Sequence, residues 1–96
     1  MRELRDLARV RSKNAGPFWI TLDLFCDDYD AVAAIDTAAF AARLRCDPDA
    51  VRRFDLPDLS VVKLSLPRPA PQGAFHDRDM HGAALGAALE GMTVPE

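Results

Sequence analysis

The chain has 96 residues, of which 49% are hydrophobic and 28% charged, with a formal net charge of −3. This is the balance of one globular domain, 1–96, and not of a disordered tail. No run approaches the ~18 apolar residues of a membrane span, and the charged start Met1-Arg2-Glu3-Leu4-Arg5-Asp6 is unlike a secretory signal.

In chain order, residues 3–10 fit two patterns. Leu4, Leu7 and Ala8 lie on a helical stripe, whereas Leu4, Asp6, Ala8 and Val10 alternate. Strand and helix both remain open for this segment. Residues 11–17, Arg-Ser-Lys-Asn-Ala-Gly-Pro, read as a polar loop. Residues 18–25 read as a strand, with Phe18, Ile20, Leu22 and Leu24 on an apolar face and Trp19, Thr21, Asp23 and Phe25 on a mixed one. Helices or another subunit are expected to cover that mixed face.

Asp27-Asp28 offers a helix N-cap, and an alanine-rich helix is predicted over 29–45. Its buried stripe would be Val32, Ile35, Ala39 and Ala42, with Phe40 and Leu44 beside it, and Asp47-Pro48 would end it. A hairpin follows over 51–56 and 59–66, turning at Leu56-Pro57-Asp58-Leu59. The proline-rich stretch 67–76 reads as a stiff crossing loop, and a last helix is predicted over about 80–92. If 3–10 is a strand, the order β-β-α-β-β-α predicts an α+β two-layer sandwich, ferredoxin-like with a permuted start. Two helices would then pack on one face of an antiparallel sheet.

Charge is unevenly spread. Through Lys13 there are five basic and two acidic residues, +3, and the remainder has seven basic and thirteen acidic, −6. An acidic body argues against nucleic-acid binding, whereas a local basic segment suits an anion site. The candidate ligand-binding residues are therefore Arg11, Ser12, Lys13, Asn14 and Gly16: two cations, a hydroxyl, an amide and a glycine that lets the backbone come close. The competing reading is a solvated turn. Asp23 on the mixed face and His81 at the last helix are further candidates, Asp23 as a paired or catalytic acid and His81 as a general base.

His76, Asp77, Asp79 and His81 lack metal-ligand spacing, so no metal and no cofactor are expected. Cys26 and Cys46 flank the predicted helix, with ends ~24 Å apart, which excludes a disulfide between them. Reduced thiols point to the cytoplasm. No catalytic set is legible, and whether the chain is an enzyme stays open.

Leu4-Arg5-Asp6-Leu7-Ala8, Arg11-Ser12-Lys13-Asn14-Ala15-Gly16-Pro17-Phe18, Thr21-Leu22-Asp23, Phe54-Asp55-Leu56-Pro57-Asp58 and Leu66-Pro67-Arg68-Pro69 together resemble a small bacterial family of unknown function. That family is associated with acyclic terpene utilisation protein A-like proteins. The chain is also distantly similar to the ferredoxin-like C-terminal domain of that protein, with Asp79-Met80-His81-Gly82 matching the lead of its last helix. Arg11 and Ser12 match the start of that domain's loop, whereas Lys13-Asn14 replaces Gly-Asp, so no catalytic role carries over. The resemblance implies an accessory small subunit of a heteromeric metabolic complex, with a partner acting on acyl-CoA compounds or small dicarboxylates by hydratase or lyase chemistry. The alternative is a stand-alone homo-oligomeric module that binds an organic acid.

Overall fold

The computed structural model describes residues 2–16, 18–67 and 79–94, and for 79–84 the backbone alone. Six strands and three α-helices are present among them: β1 (Arg2–Glu3), β2 (Ala8–Asn14), β3 (Trp19–Cys26), α1 (Tyr29–Ala33), α2 (Thr37–Leu44), β4 (Arg52–Leu56), β5 (Val61–Pro67), α3 (Asp79–Glu90) and β6 (Thr93–Val94). Short 3₁₀ turns occupy Leu4–Asp6, Pro48–Ala50 and Pro57–Leu59. The result is a small mixed α/β domain with antiparallel sheets.

β2, β3, β5 and β4 lie side by side in that order, every pair antiparallel. The apolar residues of the central strands share one face. Ile20, Leu22 and Leu24 of β3 stand opposite Leu66, Leu64 and Val62 of β5, and all six are buried. Side chains alternate along a strand, so this register gathers them into a single layer. The helices close it, contributing Val32, Phe40, Leu44 and Leu89 to the same core. α3 packs along β2, α1 meets β5, and α2 meets α3. A two-residue ribbon pairs Arg2 with Val94 and Glu3 with Thr93, and Leu4 N–H donates to the Met92 carbonyl at 2.8 Å.

Four expectations change. Segment 3–10 is neither simple helix nor simple strand: a 3₁₀ turn over Leu4–Asp6 gives way to β2 at Ala8. The predicted polar loop 11–17 is strand as far as Asn14, and the reversal is confined to the residues after it. In that turn Ala15 N–H donates to the Trp19 carbonyl at 3.0 Å, and Gly16 takes φ +83°. The pattern misled because β2 lies at a sheet edge and turns Arg9, Arg11 and Lys13 to solvent, so it lacks an apolar period.

The predicted helix 29–45 is broken at Ile35–Asp36 into α1 and α2. Arg53 of β4 takes up the carbonyls at the break, donating from Nη2 to Ala33 O at 2.9 Å and from Nη1 to Ile35 O. The break re-phases the second half, so Phe40, Ala41 and Leu44 are buried and Ala42 is exposed. Finally, of the two covers expected for the mixed face of β3, the helices are not the one, since they pack on the opposite side. The proline-rich connection 68–76 lies outside the described residues.

Candidate functional site

The pairing that gathers the core also lines up the opposite face. Across the sheet, Lys13, Thr21, Ser65 and Arg52 form one row. Arg11, Asp23, Lys63 and Phe54 form the next, and Arg9, Phe25, Val61 and Leu56 the third. Strands stand ~4.8 Å apart, so each row spans about 14 Å from β2 to β4. The face carries five cations, Arg9, Arg11, Lys13, Arg52 and Lys63, against one carboxylate, Asp23. Its net charge is +4 in a chain of net −3, which leaves −7 on the rest of the sequence.

The two ion pairs among the described residues, Arg5–Glu3 at 2.8 Å and Arg53–Asp55 at 2.8 Å, involve none of these five cations. Two of them lie over aromatic rings. The Arg52 guanidinium sits 4.6 Å from the Trp19 ring centroid, and that of Arg9 sits 5.4 Å from that of Phe25. A ring beneath a guanidinium holds it flat while its N–H edge stays available to a carboxylate or phosphate. In the first row the buried Thr21 and the half-buried Ser65 lie between the cations Lys13 and Arg52, so Ser65 is the hydroxyl within reach of a ligand. That combination of donors suits an anionic oxygen ligand.

The structure divides the predicted site residues. Arg11 and Lys13 lie exposed on the open face. Ser12 lies on the other face, against α3: a Cβ on Gly86 would come 3.7 Å from Ser12 Oγ and 3.8 Å from Val10 Cγ1. Asn14 shares that side of the strand, and Gly16 lies exposed in the turn. Asp23 lies on the open face in register with Arg11 and Lys63. The His81 backbone belongs to α3, while His76 and Asp77 lie outside the described residues. Among the described residues no three His, Cys, Asp or Glu side chains form a metal-holding group.

Both cysteines are free. Partial burial pushes the Cys26 thiol up from the ordinary range, and Asp27, Asp28 and Asp55 add to the shift. The Cys46 thiol is raised chiefly by burial, with Asp47 adding to it. A raised thiol stays protonated near neutrality, which suits neither for nucleophilic work.

Sequence reasoning places Thr21 on the mixed face of its strand but does not show that it shares a row with Ser65 and Arg52, nor that Lys63 stands beside Asp23. The hairpin alternation held the signal for Lys63 and Ser65, but only the β3–β5 register sets them beside Thr21 and Asp23.

Fold and face together define a small α+β domain whose sheet is covered by helices on one side and presents a basic, aromatic-bearing surface on the other. The chain belongs to the family described as Domain of unknown function (DUF4387), whose model matches residues 4–93. No curated protein and no solved structure matches it.

Proposed function

We propose that this domain is an accessory small subunit of a heteromeric metabolic complex, and that it supplies anion-binding residues from its open sheet face. One observation carries the reading: Lys13, Ser65 and Arg52 stand in one cross-strand row beside Arg11, and none of these cations is in an ion pair within 4.0 Å among the described residues. The ligand class this favours is a small dicarboxylate or the anionic part of an acyl-CoA. An acyclic terpene utilisation protein A-like chain, working by hydratase or lyase chemistry in the cytoplasm, is the partner the sequence resemblance suggests. The order β2-β3-β5-β4 with all pairs antiparallel supports reading the fold as a ferredoxin-like sandwich with a permuted start.

The test is the double variant Arg11→Ala with Lys13→Ala. Both side chains are exposed, so the circular dichroism spectrum should be unchanged. Titration of the complex with a C4 dicarboxylate or with coenzyme A should show affinity reduced at least tenfold. Unaltered affinity for both would remove the site. A second reading, a homo-oligomeric organic-acid module, predicts instead that the purified chain alone forms a defined oligomer and is stabilised against heat by the same ligands.

A further inference from the structure

The exposed large hydrophobic residues of the described chain are Phe18, Phe54, Leu56 and Leu59. Phe54 and Leu56 belong to the open face of β4, 50% and 36% exposed. Leu59, 69% exposed, stands in the β4–β5 turn and lines a depression with Arg9 and Phe25 of that face. Apolar exposure and positive charge therefore meet on the same side of the molecule. A cluster of this kind marks an interaction surface, since scattered hydrophobic residues would show no such coincidence. Aromatic residues and arginine are also the types enriched in protein interfaces.

We propose that this face is where a second, different protein chain docks, presenting acidic side chains to Arg9 and Lys63 and an apolar patch to Phe54 and Leu56, which leaves the Lys13–Arg52 row to the anionic ligand. The proposal rests on the accessory-subunit reading and names the surface that reading requires. Charge decides the occupant. Two copies stacked face to face would oppose +4 with +4, and like charges in an interface cost affinity and slow encounter. A copy offering its acidic remainder instead would make a heterologous contact, which closes only if its rotation happens to form a ring. Nucleic acid satisfies the cations, and its bases stack on rings, but it gains little from Leu56 and Leu59, whereas a protein surface buries them.

The experiment places the photo-crosslinking residue benzoylphenylalanine at Phe54, or at Ala42 on the exposed side of α2, in the full chain expressed in its native cells. From position 54 the expected adduct joins one other protein at a segment rich in Asp and Glu. Its yield should fall at least tenfold with Lys63→Glu, and likewise with the milder Leu56→Ser, each checked for unchanged circular dichroism. Position 42 should give no adduct. An adduct from 42 with none from 54 would overturn the docking face while leaving the accessory-subunit reading intact. Adducts to a second copy of the chain, or adducts destroyed by nuclease, would overturn the proposed occupant. Absence of adducts from both positions would overturn the docking face.

Discussion

Arg53 shows how much one side chain can hold. It lies on the helix-facing side of β4, its side chain only 15% exposed, and donates to the carbonyls of Ala33 and Ile35, to Thr37 Oγ1 at 3.3 Å and to Asp55 at 2.8 Å. Its guanidinium also lies 5.5 Å from the Phe40 ring centroid. Hydrogen bonds from a charged donor contribute about 1.5–3 kcal/mol each, and leaving buried carbonyls unmet carries its own cost. Arg53→Ala should therefore destabilise the fold by roughly 2–4 kcal/mol in urea unfolding, summed with partial relaxation. Arg53→Lys should recover only part, because an ammonium cannot reach several acceptors as a planar fork does. The two thiols give a second test at this scale. A folded-state value raised above the unfolded one contributes stability that is present below the unfolded thiol range and is lost as pH rises through it. Unfolding free energy should thus decline in mildly alkaline buffer. Iodoacetamide at neutral pH should label Cys26 and Cys46 more slowly in the native protein than in urea.

The last helix is the element whose seating is most exposed to test. Gly86 lies over β2, and the nearest atom an added Cβ would meet is Ser12 Oγ at 3.7 Å, an ordinary contact. Alanine also costs less than glycine within a helix, so Gly86→Ala should leave the melting temperature unchanged or raise stability by up to about 1 kcal/mol. A branched or long side chain there would wedge α3 away from β2 and lower the melting temperature. Gly91 differs. Its added Cβ would lie 2.9 Å from Arg43 Nη2, and Arg43 Nε donates to the Ala88 carbonyl at 2.6 Å near the end of α3. A cation at that position is favoured by the helix dipole. Gly91→Ala should shift only the flexible end of Arg43 and at most loosen its bond to Ala88, so thermal melts should show a small change in either direction.

Across the whole molecule, the segregation of +4 on one sheet face and −7 on the rest makes ionic strength a direct probe. Raising salt from 0.05 to about 0.5 M shortens the screening length from roughly 14 to 4 Å and should weaken binding of an anionic ligand or acidic partner. It should leave the melting temperature little changed, since the core is apolar. An affinity indifferent to salt would argue that the cations of the face take no part.

The α+β class, the central strand, the hairpin, the last helix and the basic character of Arg11 and Lys13 were legible in the sequence by itself. Each rests on local information: alternation, helix propensity, turn residues and charge at named positions. Local patterns could not show that Arg11-Ser12-Lys13-Asn14 continues a strand, because an edge strand facing solvent has no apolar period to betray it. Nor could they show that the 29–45 helix breaks, since the cause is Arg53, distant in sequence, reaching the carbonyls of Ala33 and Ile35. The open face is the clearest case. Its membership is decided by the register between strands, and register comes from long-range packing of the core on the other side of the same sheet. Only the tertiary structure could therefore set Lys13, Thr21, Ser65 and Arg52 in one row and divide Arg11 and Lys13 from Ser12 and Asn14.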